Sequence, residues 1–444
     1  MSESDLFGVV TGDTKGAGGN VAPLRGEERM LTPNREQMLM LPMSLEAQVP
    51  RDHVVRAVWR VVVAFDLSSL VEAIRARGSH PGRPVIDPRI LVSLWVYATI
   101  EGVGSAREIA RLSEAHAMYR WICGGVHVSY HTLSDFRVDH PELVEKLLTS
   151  TVAALENGGV IKVSRVAQDG MRVRASAGAS SFHRMKTLKK SLEDAKVLLE
   201  EVTQRAQDAE KRSGEQAAQV RAAAEQEKRL AQAVEELGKI QNLRPDKDPE
   251  ELRASSTDPE ARVMKMADGG FRPAYNVHFA TTTEGRGIVG VIVTNAGNDN
   301  GQMPPMTEEV AKRVEGKPVE WLVDGGFAKK EDIETLAEKS ITVYAPLQKP
   351  HKQGVDPHEP KQGDTPAVVA WRLRMSTEVA KQIYRERGSV AELVNADTRC
   401  HRGLNYIPVR GLTKARTVAL WMAIAYNITR WVANEKNEAN RDER

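Results

Sequence analysis

Three acidic residues are placed where metal-assisted chemistry would need them. Two apolar runs, VIKVSRVAQD (160–169) and PVEWLVD (318–324), each close on an aspartate followed by glycine, Asp169-Gly170 and Asp324-Gly325-Gly326. An aspartate at the end of a buried strand projects beside the sheet edge, and the glycine leaves room for a ligand to approach the backbone. Asp-Gly is also a common turn dipeptide, and Asp268-Gly269-Gly270 is read as that. The third acid, Glu392, lies in YRERGSVAELVNADTRCHRGL (384–404). Helical spacing puts Gly388, Asn395 and Arg399 on its face. Residues 371–416 hold ten Lys/Arg against four Asp/Glu, a segment suited to a polyanion. An ion pair with Arg399 is the plain alternative for Glu392, and Glu386 and Asp397 are rival acids. Two strand-end aspartates and a helix glutamate can hold two divalent cations roughly 4 Å apart for in-line displacement at phosphorus. Mg²⁺ suits an all-oxygen site, because it keeps water and phosphate ligands beside a few carboxylates.

The elements that must position these acids follow from periodicity and punctuation. Residues 1–30 are Gly-rich and aperiodic and are read as a flexible N-terminus. Residues 31–142 read as helical. DPRILVSLWVYATIEG (87–102) opens with an Asp cap and Pro at the first helical position, SAREIARLSEAH (105–116) with a Ser105/Glu108 capping box. With SYHTLSDFRVDH (129–140) they resemble a helix-turn-helix, a pattern that many helical bundles share. A core begins at 143–183 and resumes at 244–430. Between them, at 184–243, Met185, Leu188, Leu192, Ala195, Leu199, Val202, Ala206 and Ala209 form a coiled-coil seam. Ser213-Gly214 breaks it, and a second stripe through Val220, Ala223, Leu230, Val234 and Leu237 completes an antiparallel helical hairpin. AYNVHFATTT (274–283) and GIVGVIVTN (287–295) predict a β-hairpin, with His278 incidental in its first strand. Long helices follow from about 367 to 430, then a charged tail at 431–444.

Composition narrows the classes. The 444 residues carry a formal net charge of +2, so affinity for nucleic acid must come from local patches. Two distant cysteines argue against a disulfide framework or a cysteine zinc site and fit a reducing cytosol. No apolar run reaches the roughly 20 residues that span a bilayer, and the N-terminus has no signal-peptide pattern. The expectation is a soluble cytoplasmic protein. P-loop, nucleophile-elbow and dinucleotide motifs are missing from the sequence.

Taken in order, NREQMLMLP (34–42), GRPVIDPRILVSLWVYA (82–98), SAREIARL (105–112), HTLSDFR (131–137), VAQDGMRVRASA (166–177), DGGFRPAYNV (268–277), WLVDGGF (321–327), YRERGSVAELVNADTR (384–399) and VRGLTKARTVALWMAIAYN (409–427) resemble bacterial insertion-sequence transposases of the DDE class. The likeness is to the four/five supergroup and most of all to the branch written IS eleven-eighty-two. It implies an α/β catalytic core, an RNase H-like mixed sheet flanked by helices. An all-α N-terminal DNA-binding domain and the hairpin insertion complete the expected architecture. The catalytic and metal-binding acids fall on Asp169, Asp324 and Glu392, with two Mg²⁺ ions and Mn²⁺ able to substitute. The supergroup's third motif is Tyr, two residues, Arg, three residues, Glu, six residues, Lys. Tyr384 and Arg387 fit; strict counting then reaches Ala391, one residue before Glu392, and Arg399 stands where Lys is usual. The expected DNA contacts are Tyr384, Arg387, Arg399 and Arg402 in the core, with Arg107, Thr132 and Arg137 in the helical region. The implied partners are double-stranded DNA, at the terminal inverted repeats and at the target, and a second copy of the chain on DNA. The implied location is the cytoplasm, at the nucleoid, with no membrane association. A decayed transposase acting as a DNA-binding regulator, or an RNase H-like nuclease, is the alternative.

Overall fold

The computed structural model describes residues 43–72, 85–208, 214–348 and 356–442. The expected flexible stretch 1–30, the motif at 34–42, Ala209, Ser213 and His351 lie outside the described residues. The chain divides at Met43, and the strands and helices described belong to the unit Ser44–Arg444.

Among the described residues the main sheet has six strands, five of which frame the acids. They are β1 (Lys162–Arg174), β2 (Phe271–Glu284), β3 (Ile288–Thr294), β4 (Glu320–Leu322) and β5 (Thr342–Tyr344). β2 lies between β3 and β1, antiparallel to both, and β4 and β5 continue the sheet parallel to β1. The order β3-β2-β1-β4-β5, mixed in direction and flanked by helices, is an RNase H-like arrangement. Residues 273–282 of β2 are all buried, as a strand covered on both faces requires. The β2–β3 turn places Gly285 and Arg286 at positive φ, 80° and 60°. Right-handed strand twist favours such a turn. A side chain at Gly285 would also overlap the Val160 carbonyl.

β1 departs from the sequence reading. The strand does not stop at Asp169 but runs on to Arg174, because β2 pairs with it throughout (Asp169 opposite Phe279, Arg174 opposite Ala274). On its other edge, β4 pairs only with Arg165, Val166 and Ala167. Asp169 is therefore mid-strand toward β2, yet lies just past the end of its parallel neighbour.

The helical region and the sheet share one core. Val55, Leu94, Trp95, Leu133, Leu148, Val166, Val291 and Trp421 belong to the same buried cluster. The integrating element is the helix Leu412–Asp442, which continues past residue 430 through most of the expected charged tail. It packs on β3 and on the helices Pro88–Ile100 and Pro141–Asn157. Trp421 donates to the Arg137 carbonyl (3.2 Å), and Asn427, fully buried, both accepts from Ile288 N and donates to Ile288 O, each at 2.8 Å. Capping follows the sequence closely: Asp87 accepts from Arg89 N with Pro88 in the first turn, and Ser105 accepts from Glu108 N. The Glu108 carboxylate, however, turns to Arg111 rather than closing the capping box.

The helices Met185–Asp208 and Gly214–Leu243 pair antiparallel, with Leu188, Leu192 and Ala195 facing Leu230, Ala233 and Leu237 in a core of their own. Glu236 ties this pair to Arg262, on the short strand Arg262–Lys265, at 2.6 Å. Among the described residues, no helix is long and apolar enough to cross a membrane.

Asn427→Leu is expected to destabilise the chain by about 2–5 kcal/mol, because two buried backbone groups of Ile288 lose their partner at roughly 1–3 kcal/mol each. Chemical denaturation of the full chain measures this. A change under about 1 kcal/mol would show that the amide bridge does not hold helix to sheet.

Candidate active site

Alternation along β1 puts Arg165, Ala167 and Asp169 on one face of the sheet. The helical segment spanning Glu378–Arg387 and Leu393–Cys400 lies across that face and is tied to it at two points. Arg165 pairs with Glu320 of β4 (2.6 Å) and grips Glu386 with both oxygens (2.7 and 2.8 Å). Further along, Asn395 Nδ2 donates to Asp169 Oδ2 at 3.0 Å. Asp324 follows β4 by two residues, and its Oδ1 accepts from Gly326 N (2.7 Å), which fixes the loop that carries it.

Between the two ties the helix is not α-helical. Gly388–Glu392 forms a single π turn, which takes one more residue than an α turn. This accounts for the spacing irregularity in the sequence. Ala391, where strict counting puts the acid, is buried at 3% exposure, and Glu392 faces back across the wider turn toward Arg387.

Arg387 is the meeting point. Its guanidinium lies 3.1 Å from Asp169, 3.9 Å from Asp324 and 3.8 Å from Glu392. Side-chain exposure rises from 15% for Asp169 through 42% for Asp324 to 70% for Glu392, a cleft with a dry floor and a wet rim. Arg387 itself is buried, and its Nε has no hydrogen-bond partner. Tyr384, half-buried, sits beside it; burial pushes its phenol up, while Arg387 pulls the other way.

The rival acids are committed elsewhere. Glu386 is the Arg165 tie, and Asp397 pairs with Arg402 at 2.7 Å. Arg399 points away from Glu392 and donates to the Arg172 carbonyl (3.1 Å). Two expected DNA contacts are internal. Arg402 is 5% exposed, held between Asp397 and Thr429. Arg137 is 7% exposed, stacked over Trp95 and donating to Gly104 O (2.8 Å), and burial brings its pKa down to about 10. Both guanidiniums are thus largely committed to partners within the protein, although each keeps one nitrogen without a hydrogen-bond partner. Arg107, over the Tyr130 ring, is exposed; Thr132 is half-buried at a helix cap with Ser129.

One group was not foreseen. The space left by Gly170 is taken by protein: a Cβ there would stand 2.7 Å from Asp299 Oδ1 and 2.7 Å from the His278 ring. Asp299 sits in the loop after β3 and accepts from Asn276 Nδ2 at 2.7 Å. Its other oxygen lies 3.8 Å from where a Gly326 Cβ would be, a point 3.0 Å from Asp324 Oδ1. His278, read as incidental, is fully buried beside it. Its only signal in the sequence was a β-branched and aromatic strand, and Asn298-Asp299-Asn300-Gly301 reads as an ordinary turn.

One guanidinium faces three carboxylates, which leaves two formal negative charges for divalent cations to offset. Among the described residues no three acids or histidines stand close enough to grip one ion as they are, because the acids converge on Arg387 rather than on each other. Their donor set, all hard oxygen at the mouth of a cleft, fits Mg²⁺ or Mn²⁺. Burial lifts Asp169 to about 6, the attraction of Arg387 opposing and the nearby Asp324 and Asp299 reinforcing it. The folded chain thus holds a proton that the unfolded chain releases near pH 4, so this group lowers stability as pH rises from about 4 to about 6. Compared with Asp169→Asn by urea denaturation, the wild type is expected to lose up to about 3 kcal/mol across that window and nothing further above it. Parallel curves for the two proteins would show that Asp169 does not titrate there.

The Transposase domain (DUF772) family matches residues 43–139, the helical region, and the Transposase DDE domain family matches residues 248–428, which include Asp324 and Glu392. Asp169 falls between the two matches. No curated protein and no solved structure matches the chain. With two transposase families on one chain, one on the helices and one on the sheet that gathers the acids, the protein is a DNA transposase of the DDE type.

Proposed function

We propose that Asp169, Asp324 and Glu392 are the catalytic acids and hold two Mg²⁺ ions, and that the chain cuts the ends of its insertion sequence and joins them to target DNA. The observation that carries this is the guanidinium of Arg387, reached by three carboxylates from a central strand, a strand-end loop and a π turn. When bound, the cations activate the attacking hydroxyl and stabilise the leaving oxygen. The protein's part is to position them. Asn395 and Gly170 N orient Asp169, Gly326 N orients Asp324, and the π turn leaves Glu392 facing Arg387. To hold a metal, Asp169 would give up its contact with Arg387, which would free that guanidinium for a phosphate.

The terminal inverted repeats are read by the helical region, with exposed Arg107 as a phosphate contact, while Tyr384 and Arg399 line the strand beside the acids. A homodimer assembled on DNA in the cytoplasm, at the nucleoid, brings two ends together. The motifs along the chain support the four/five supergroup and the IS eleven-eighty-two branch.

Glu392→Gln, Asp169→Asn and Asp324→Asn are each expected to lower Mg²⁺-dependent cleavage of end DNA by orders of magnitude while DNA binding persists. Double variants should fall little further, because the acids act as a unit. Near-normal cleavage by Glu392→Gln would remove that residue from the set.

The π turn gives a separate test. Deleting Ser389, exposed on that turn, restores the regular spacing and lets the helix close as α while keeping both ties. Cleavage should remain within roughly tenfold of wild type. Loss as complete as that of Glu392→Gln, in a variant that still melts cooperatively, would mean the turn does not set the position of the acid.

A further inference from the structure

We infer that Asp299 is a fourth carboxylate of the metal site, an inference that rests on the metal-binding reading of Asp169 and Asp324. The two glycines that follow those aspartates both border it: Oδ1 stands where a Gly170 side chain would project, and Oδ2 faces the space beside Gly326 and Asp324. Asn276 Nδ2, nearly fully buried on β2, holds Oδ1 at 2.7 Å and leaves Oδ2 free to point toward the cleft. The Asp299 side chain is 19% exposed, and its nearest potential cation is His278 Nε2 at 3.8 Å.

His278 points to a ligand independently. It is fully buried, and neither ring nitrogen has a hydrogen-bond partner. Orphaned imidazole nitrogens this deep, against a carboxylate with one unengaged oxygen, mark a place where a hydrated divalent cation supplies what is missing. The cation's charge offsets the clustered aspartates, and a water on it can bond the ring.

The test is Mn²⁺ uptake by the DNA-free full-length protein, followed by loss of the free aquo-ion signal in electron paramagnetic resonance. Asp299→Asn keeps the acceptor for Asn276 and removes only charge. Mn²⁺ affinity should fall by roughly tenfold or more, while the melting temperature in EDTA is unchanged or higher. Asp299→Ser should show the same loss and decides the matter if the Asn variant folds poorly. Wild-type affinity in either folded variant, with Asp169→Asn deficient, would overturn the role of Asp299 and leave the three-acid reading standing. A wild-type chain that takes up no Mn²⁺ would overturn both.

Discussion

A buried arginine facing three carboxylates is the interaction on which this structure turns. Burying a guanidinium is costly unless its charge is matched and its donors are engaged. Arg387 is matched more than once over, yet its Nε has no partner. That excess of negative charge around a single cation does not make a good structural ion pair. It makes sense in a site that exchanges one positive group for another. The surrounding fold gathers the acids on Arg387, while among the described residues no three acids or histidines stand close enough to grip one metal ion.

Each part of the frame serves that placement. The short β4 ends opposite Ala167, which leaves Asp169 open on one edge while β2 keeps its backbone paired on the other. Arg165 clamps β1, β4 and the helix over them through two glutamates, and Asn395 bonds Asp169 further along, so the helix cannot slide along the sheet without breaking an ion pair at one end and a hydrogen bond at the other. Behind the sheet, the helix Leu412–Asp442 binds strand β3 through Asn427 and the helical region through Trp421. The region expected to read DNA and the sheet expected to cut it consequently share one hydrophobic core.

What could be read in the sequence was local. The Asp87-Pro88 cap and the β-hairpin at 274–295 each depend on residues near one another, and each appears as its pattern implies. What could not be read depends on distant partners. Asp169 looked like a strand end because the strand that carries β1 onward lies more than a hundred residues away. Counting exposes the one-residue offset of Glu392 but not its cause, since nothing in GSVAE announces a π turn. Arg137 and Arg402 are expected DNA contacts because one lies on a short helix of a helix-turn-helix-like pair and the other in a basic segment. The Trp95 ring and Asp397 carboxylate that bury them come from other elements or the next turn. Asp299 sat in a turn sequence with no periodicity to suggest that its side chain faces the acids.

Anomalous diffraction from crystals of the full-length chain soaked in Mn²⁺ tests the central claim most directly. The account predicts manganese within about 2.0–2.3 Å of carboxylate oxygens of Asp169 and Asp324, with Arg387 drawn away from Asp169. Manganese bound only elsewhere, with the three carboxylates still gathered on Arg387, would contradict it.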